Sequence, residues 1–94
     1  MQTVEGLFDF LNRVTSDTNL TSAHVSVCAA LCSAWIRNGF NNPFNISRSR
    51  IMLAARIKSK TTYHKVIGDL AQFGYLKYNP SYHPGKCSEV LIVP

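Results

Sequence analysis

Ser59-Lys60-Thr61-Thr62-Tyr63-His64-Lys65-Val66-Ile67-Gly68-Asp69-Leu70-Ala71-Gln72-Phe73-Gly74-Tyr75-Leu76-Lys77-Tyr78-Asn79 is the stretch on which the fold turns. Ser59 is a residue type that caps helices. Tyr63, Val66, Ile67, Leu70 and Phe73 recur at helical spacing and predict one apolar side. Gly74 can take the left-handed conformation that ends a helix, and Tyr75 then falls where it can pack back on Leu70, as in a Schellman stop. Leu76-Lys77-Tyr78-Asn79 alternates apolar and polar, which predicts a strand starting at once.

Working outward, Pro80 to Lys86 is rich in Pro, Gly and Ser, and Val90 to Val93 is a β-branched run. These residues close a hairpin over 76–93 with a seven-residue tip. Upstream, Ser47 caps a third helix that runs to about Ala55, with Ile46 and Ile51 as its staple pair, and Ile57-Lys58 make the turn to the Ser59 helix. Phe44-Asn45-Ile46 is long enough only for a short strand after the break at Asn41-Asn42-Pro43. Thr21 caps a helix closed by Arg37-Asn38-Gly39, with Leu20 placed to staple onto Val25. Its Val25, Val27, Cys28, Leu31, Cys32, Trp35 and Ile36 cover most of the circumference, so it is expected to be the central helix. Glu5 to Val14 reads as a short amphipathic helix through Leu7, Phe8, Phe10, Leu11 and Val14.

The order is helix, helix, short strand, helix, turn, helix, strand, loop, strand. A tight helix-turn-helix over 47–73 followed directly by a hairpin is the pattern of a winged helix. The expected class is therefore α+β, mainly α, with about four helices, a short strand and a C-terminal β-hairpin wing. Ninety-four residues leave room for one domain spanning 1–94, in which 1–39 supply core and a surface for pairing two copies.

Apolar residues make up 46% and charged residues 16%, which is enough core material to exclude a disordered chain. The net charge of +5 suits a protein that meets a polyanion. Its distribution is sharper than its sum. Residues 1–46 hold Arg13 and Arg37 against Glu5, Asp9 and Asp17, a net of −1. Residues 47–94 hold Arg48, Arg50, Arg56, Lys58, Lys60, Lys65, Lys77 and Lys86 against Asp69 and Glu89, a net of +6. These bases alternate with Ser, Thr, Tyr and His, as on a folded surface and unlike a contiguous basic tail.

In a helix-turn-helix the second helix enters the major groove, and residues near its start reach base edges or phosphates. Here that start offers Lys58, Ser59, Lys60, Thr61, Thr62, His64 and Lys65, donors and short acceptors suited to those contacts. Arg48 and Arg50 lie in the first turn of the preceding helix, where cations oppose the macrodipole, so a ligand explains them better than helix stability does. Tyr82, His83 and Lys86 at the hairpin tip complete the expected contacts, along the backbone or in the minor groove. The resulting expectation is double-stranded DNA as partner.

Ile57 to Lys65 and Leu70 to Pro84 resemble the small stand-alone winged-helix proteins of bacterial conjugative transposons and related mobile elements, and the winged-helix domains of replication initiators. The similarity extends through Thr21 to Trp35 and Asn41 to Pro43. It implies a DNA-binding transcriptional or mobile-element regulator in a bacterial cytoplasm, at the nucleoid. Winged helices also serve as protein-interaction modules, so docking on a replication or recombination protein is the competing reading. One departure is Gly68 in mid-helix, which costs about 1 kcal/mol against Ala and is expected to serve a close packing contact.

Other chemistries fare worse. His24, Cys28 and Cys32 form a stripe whose ends lie ~12 Å apart along a helix, too far to share one ion, and core packing is the better account. Neither the odd cysteine number nor the spacing of Cys28 and Cys32 suggests a disulfide framework, and a reducing cytosol fits. No basic leader with a long apolar run opens the chain, and no run is apolar enough to span a bilayer. Paired carboxylates, a Gly-rich phosphate loop and a nucleophile elbow are missing, so the chain is expected to be no enzyme and to need no cofactor, metal or small-molecule ligand.

Overall fold

A computed structural model describes residues 4–80 and 88–94. Val4–Ser16 form α1, Ser22–Arg37 α2, Phe44–Ile46 β1, Arg48–Ala55 α3, Lys60–Gln72 α4, Leu76–Asn79 β2 and Ser88–Ile92 β3. The class is α+β, mainly α. The element order matches the sequence reading, with α1 starting one residue earlier and ending two later, and β3 lying at 88–92.

Local chemistry sets the helix ends. Ser59 Oγ accepts the Thr62 N–H at 3.2 Å, so α4 starts where its cap stands. At its other end the Tyr75 N–H donates to Leu70 O at 3.0 Å and the Gly74 N–H to Ala71 O at 3.2 Å, with Gly74 at φ 85°. This is the two-bond Schellman stop, and it turns the chain straight into β2. α2 ends the same way: Gly39 has φ 67°, the Phe40 N–H donates to Trp35 O at 3.0 Å, and the two rings meet edge to face at 5.4 Å. At the end of α3 the left-handed position belongs to Arg56, φ 63°, where a side chain costs about 1 kcal/mol. Its own guanidinium offsets part of that by donating to Leu53 O at 3.0 Å.

β3 is the central strand, in the order β1-β3-β2 with both pairings antiparallel. Val90 stands opposite Phe44 on one side and Tyr78 on the other, so the inward face carries Phe44, Ile46, Leu76, Val90 and Ile92, all buried. Beyond β1 the Asn42 amide continues the ladder, donating to Ile92 O at 2.7 Å and accepting the Ile92 N–H at 2.9 Å.

α2 packs on α1, α3 and α4. Its buried residues include Val27, Cys28, Leu31 and Trp35 and span more than half the circumference, as expected of the central helix, but Val25 and Ile36 fall on the open side and are exposed. Burial of each large apolar side chain here is worth about 1.5–3 kcal/mol. Phe73 also departs from the predicted apolar side of α4. As the C-cap residue it lies past the last buried turn, about half exposed, with its ring 6.4 Å from that of His24.

α1 is anchored by Arg13. Its guanidinium donates to Val93 O at 2.8 Å and stacks 4.5 Å over the Tyr75 ring, while Tyr75 Oη donates to Asp17 Oδ2 at 2.6 Å. That hydrogen bond, the backbone N–H of Asn19 and the Arg13 charge hold the Asp17 carboxyl below its ordinary range.

Candidate functional site

α4 presents two faces. Tyr63, Val66, Ile67 and Leu70 are buried against the core, and burial pushes the Tyr63 phenol well above its usual range. Lys60, Thr61, Thr62, His64, Lys65 and Gly68 are exposed. Because residues three, four and seven apart share a helix face, Thr61, His64, Lys65 and Gly68 stand together at the middle of the open one. The expected free face of this helix is therefore the observed one.

Lys58 and Ser59 lead into that face and are exposed, as are Arg48 and Arg50 on the first turn of α3. Arg48, Arg50, Lys58 and Lys60 make no ion pair or hydrogen bond among the described residues. Lys65 differs. Its ammonium lies 3.3 Å from Asp69 Oδ2, one turn further along the same helix. Tyr82, His83 and Lys86 lie outside the described residues.

Asp69 was not among the residues the sequence singled out, yet it joins two elements. The Thr21 N–H donates to His24 Nδ1 at 3.0 Å, which leaves the proton on Nε2, and Nε2–H donates to Asp69 Oδ2 at 2.9 Å. His24 thus stands in the place of the Glu or Gln of a capping box and at the same time ties α2 to α4. The hydrogen bond from His24, followed by the contact with Lys65, holds the Asp69 carboxyl below its ordinary range. The reading of His24, Cys28 and Cys32 as core stands: all three are buried, and burial raises the two thiols to about 12 and about 11, too high for ready thiolate chemistry.

Gly68 does not make the close packing contact expected of it. A Cβ built on it meets nothing within 4 Å, so no packing contact requires the glycine. Gly68→Ala is expected to stabilise the fold by about 1 kcal/mol, a rise of about 4–8 °C in melting temperature by circular dichroism.

Two apolar features stand outside the core. Val4 and Phe8 are 52% and 60% exposed, one turn apart on α1, beside half-buried Leu7 and Leu11. Leu53 on α3 is 75% exposed and lines a small notch with Met52, Ile57, Arg56 and Lys58. No described helix is long and apolar enough to cross a membrane, and among the described residues no group of three His, Cys, Asp or Glu is placed to hold a metal ion. The chain matches no protein-family model, and no curated protein or solved structure shows significant similarity to it.

Proposed function

We propose that the chain is a winged helix-turn-helix protein that binds double-stranded DNA, with α4 in the major groove, the first turn of α3 on phosphates and the 76–93 hairpin as the wing. The observation that carries this reading is the surface around the start of α4. Arg48, Lys58 and Lys60 lie exposed with no acid paired to them among the described residues, near the hydroxyls of Thr61 and Thr62 and the ring of His64, while Arg50, two residues on from Arg48, turns to the side of α3 that faces the end of α2. Unpaired cations are the electrostatic signature of a phosphate-facing surface, and Thr and His at a helix start are groups that reach base edges. Gly68 fits here as well, because a helix without a side chain at the centre of its open face can bring its backbone close to the groove. Gly68→Ala is accordingly expected to weaken duplex binding even as it raises stability.

The test is a fluorescence-anisotropy titration of duplex DNA at two salt concentrations. Three phosphate contacts on this surface give a log–log slope of about −2.7, so they alone are expected to lower affinity about 40-fold between 50 and 200 mM monovalent salt. No binding at low salt overturns the reading. The resemblance to mobile-element and replication-initiator winged helices makes a small regulator the natural setting, in a bacterial cytoplasm.

One module makes few base contacts, and paired half-sites add affinity. The exposed Val4 and Phe8 on α1 supply an apolar face for a second copy. Sedimentation is expected to show a dimer at micromolar concentration that Phe8→Ser converts to monomer; a monomeric parent chain removes the pairing and leaves the DNA reading intact. The exposed Leu53, in its notch flanked by Arg56 and Lys58, favours the second reading, docking on a replication or recombination protein. Leu53→Ser separates the two, because it leaves duplex binding unchanged and abolishes such docking.

A further inference from the structure

An open groove of about 530 Å³ runs between the C-terminal end of α2 and the N-terminal end of α3, floored by β1. Its walls bring together Arg37 of α2 and Arg50 of α3, 13 residues apart in sequence, with Asn38, Asn45 and Ser47, and no acid among the described residues lines it. Arg37 is held by a 2.7 Å hydrogen bond to Ser33 Oγ one turn back, whereas Arg50 has no partner among the described residues. Two guanidiniums facing one groove repel each other, and a shared anion removes that cost. Arg is the side chain whose planar fork matches phosphoryl oxygens two at a time.

The obvious objection is the helix end that forms one wall, because C-terminal carbonyls repel anions. In α2 three of the last four carbonyls are occupied. Ala34 O accepts both the backbone N–H and the side-chain amide of Asn38, at 3.0 and 2.7 Å, Trp35 O accepts from Phe40 at 3.0 Å, and Ile36 O accepts from Gly39 at 3.0 Å. The opposite wall is the positive end of α3. There Ser47 Oγ is engaged with Ser49 Oγ at 3.0 Å and does not cap the helix, so the first-turn N–H groups have no side-chain acceptor among the described residues. Glu89 stands opposite Asn45 on the neighbouring strand, but it does not line the groove.

We infer that this groove is a phosphoryl-binding site with Arg37 and Arg50 as its clamp. Resting on the DNA reading, its occupant is a backbone phosphate outside the footprint of α4, which extends the contact surface beyond the helix-turn-helix to α2. A free phosphate is the other source of the same chemistry.

Two measurements on the full chain, with Arg37→Gln and Arg50→Gln as variants, test this and distinguish the sources. In duplex anisotropy each variant is expected to lose about 8-fold in affinity at 0.1 M salt and to shallow the log–log slope by about 0.9, the effect of one phosphate contact. In amide chemical-shift titrations with inorganic pyrophosphate, the signals of Asn38 and Ser47 to Arg50 are expected to move in the parent and to stay still in Arg37→Gln. Pyrophosphate shifts without any duplex binding by the parent overturn the DNA reading and keep the site as one for a free anion. Pyrophosphate shifts with duplex binding unaltered by either variant keep the site and remove the backbone phosphate as its occupant. Duplex binding by the parent that neither variant alters, together with no shifts at these amides, overturns the groove while the DNA reading stands. Arg37→Lys, which keeps the charge and loses the fork, is expected to fall between parent and Arg37→Gln in both measurements.

Discussion

Replacing Arg48, Lys58 and Lys60 together by alanine is expected to weaken duplex binding about 500-fold at 0.1 M monovalent salt and to shallow the salt slope by about 2.7, which corresponds to three phosphate contacts released. The same chain is expected to melt no lower than the parent. None of the three side chains has a hydrogen bond or ion pair to lose among the described residues, and all are exposed. Two of them sit in first turns, Arg48 on α3 and Lys60 on α4, where a cation opposes the helix dipole. Removing each is therefore worth a few tenths of a kcal/mol of added stability, and alanine is the better helix former at both positions. Affinity and stability thus move in opposite directions, which scattered solvating charges would not produce. Lys65→Ala should cost less than Lys60→Ala despite lying on the same face. Its ammonium is already shared with Asp69 at 3.3 Å, so any phosphate must compete with that carboxylate for it. A triple variant that binds duplex as well as the parent would remove α4 and the start of α3 from the interface.

What could be read from the sequence is what short range decides. Ser59, Gly74 and Gly39 act within a turn of where they stand, and Thr21 and Ser47 stand at the N-cap positions, although the Ser47 hydroxyl bonds Ser49 and not the helix N–H groups as expected, so the helix limits and the open face of α4 follow from residue type and spacing. The sheet was legible as strands but not in its order. Placing β3 between β1 and β2 requires 88–92 to pair across more than 40 residues with 44–46, and no local signal carries that. Arg56 carries no local signal of its conformation, because the left-handed position it fills is usually taken by Gly or Asn. Spacing points Phe73 and Val25 inward because it reports which residues share a helix face, not how far the neighbouring element extends to cover it. Arg37 was invisible as a site residue for a related reason: its groove exists only once β1 has returned the chain so that α3 starts beside the end of α2. Asp69 looked like one acid in a basic half, and its partner His24 lies 45 residues away.

That contact is expected to carry a large single-residue effect on stability outside the apolar core. His24→Ala is expected to destabilise the fold by about 2–3 kcal/mol, a fall of about 10–20 °C in melting temperature, since it removes a buried ring, leaves the Thr21 N–H without its partner and leaves the Asp69 carboxylate with exposed Lys65 alone. The loss should reach α4 in particular, because His24 is the polar tie between that helix and α2, and amide exchange is expected to speed up at the C-terminal half of α4 before it does so in β3. The pH dependence has a definite sign. The hydrogen bond from His24 lowers the Asp69 carboxyl in the folded chain, and that from Tyr75 lowers Asp17, both from an ordinary value of 3.8. A carboxyl lowered on folding contributes its stability in full above that ordinary value and loses it as pH falls through the folded value, where the unfolded chain already holds the proton. The parent is therefore expected to lose melting temperature steeply below about pH 4, and Asp69→Asn and Asp17→Asn each to flatten that limb. In His24→Ala the limb should flatten in the same direction as in Asp69→Asn but by less, because the His24 bond is missing while Lys65 still lowers the carboxyl. An acid limb as steep in His24→Ala as in the parent would show that the 2.9 Å contact does not couple α2 to α4.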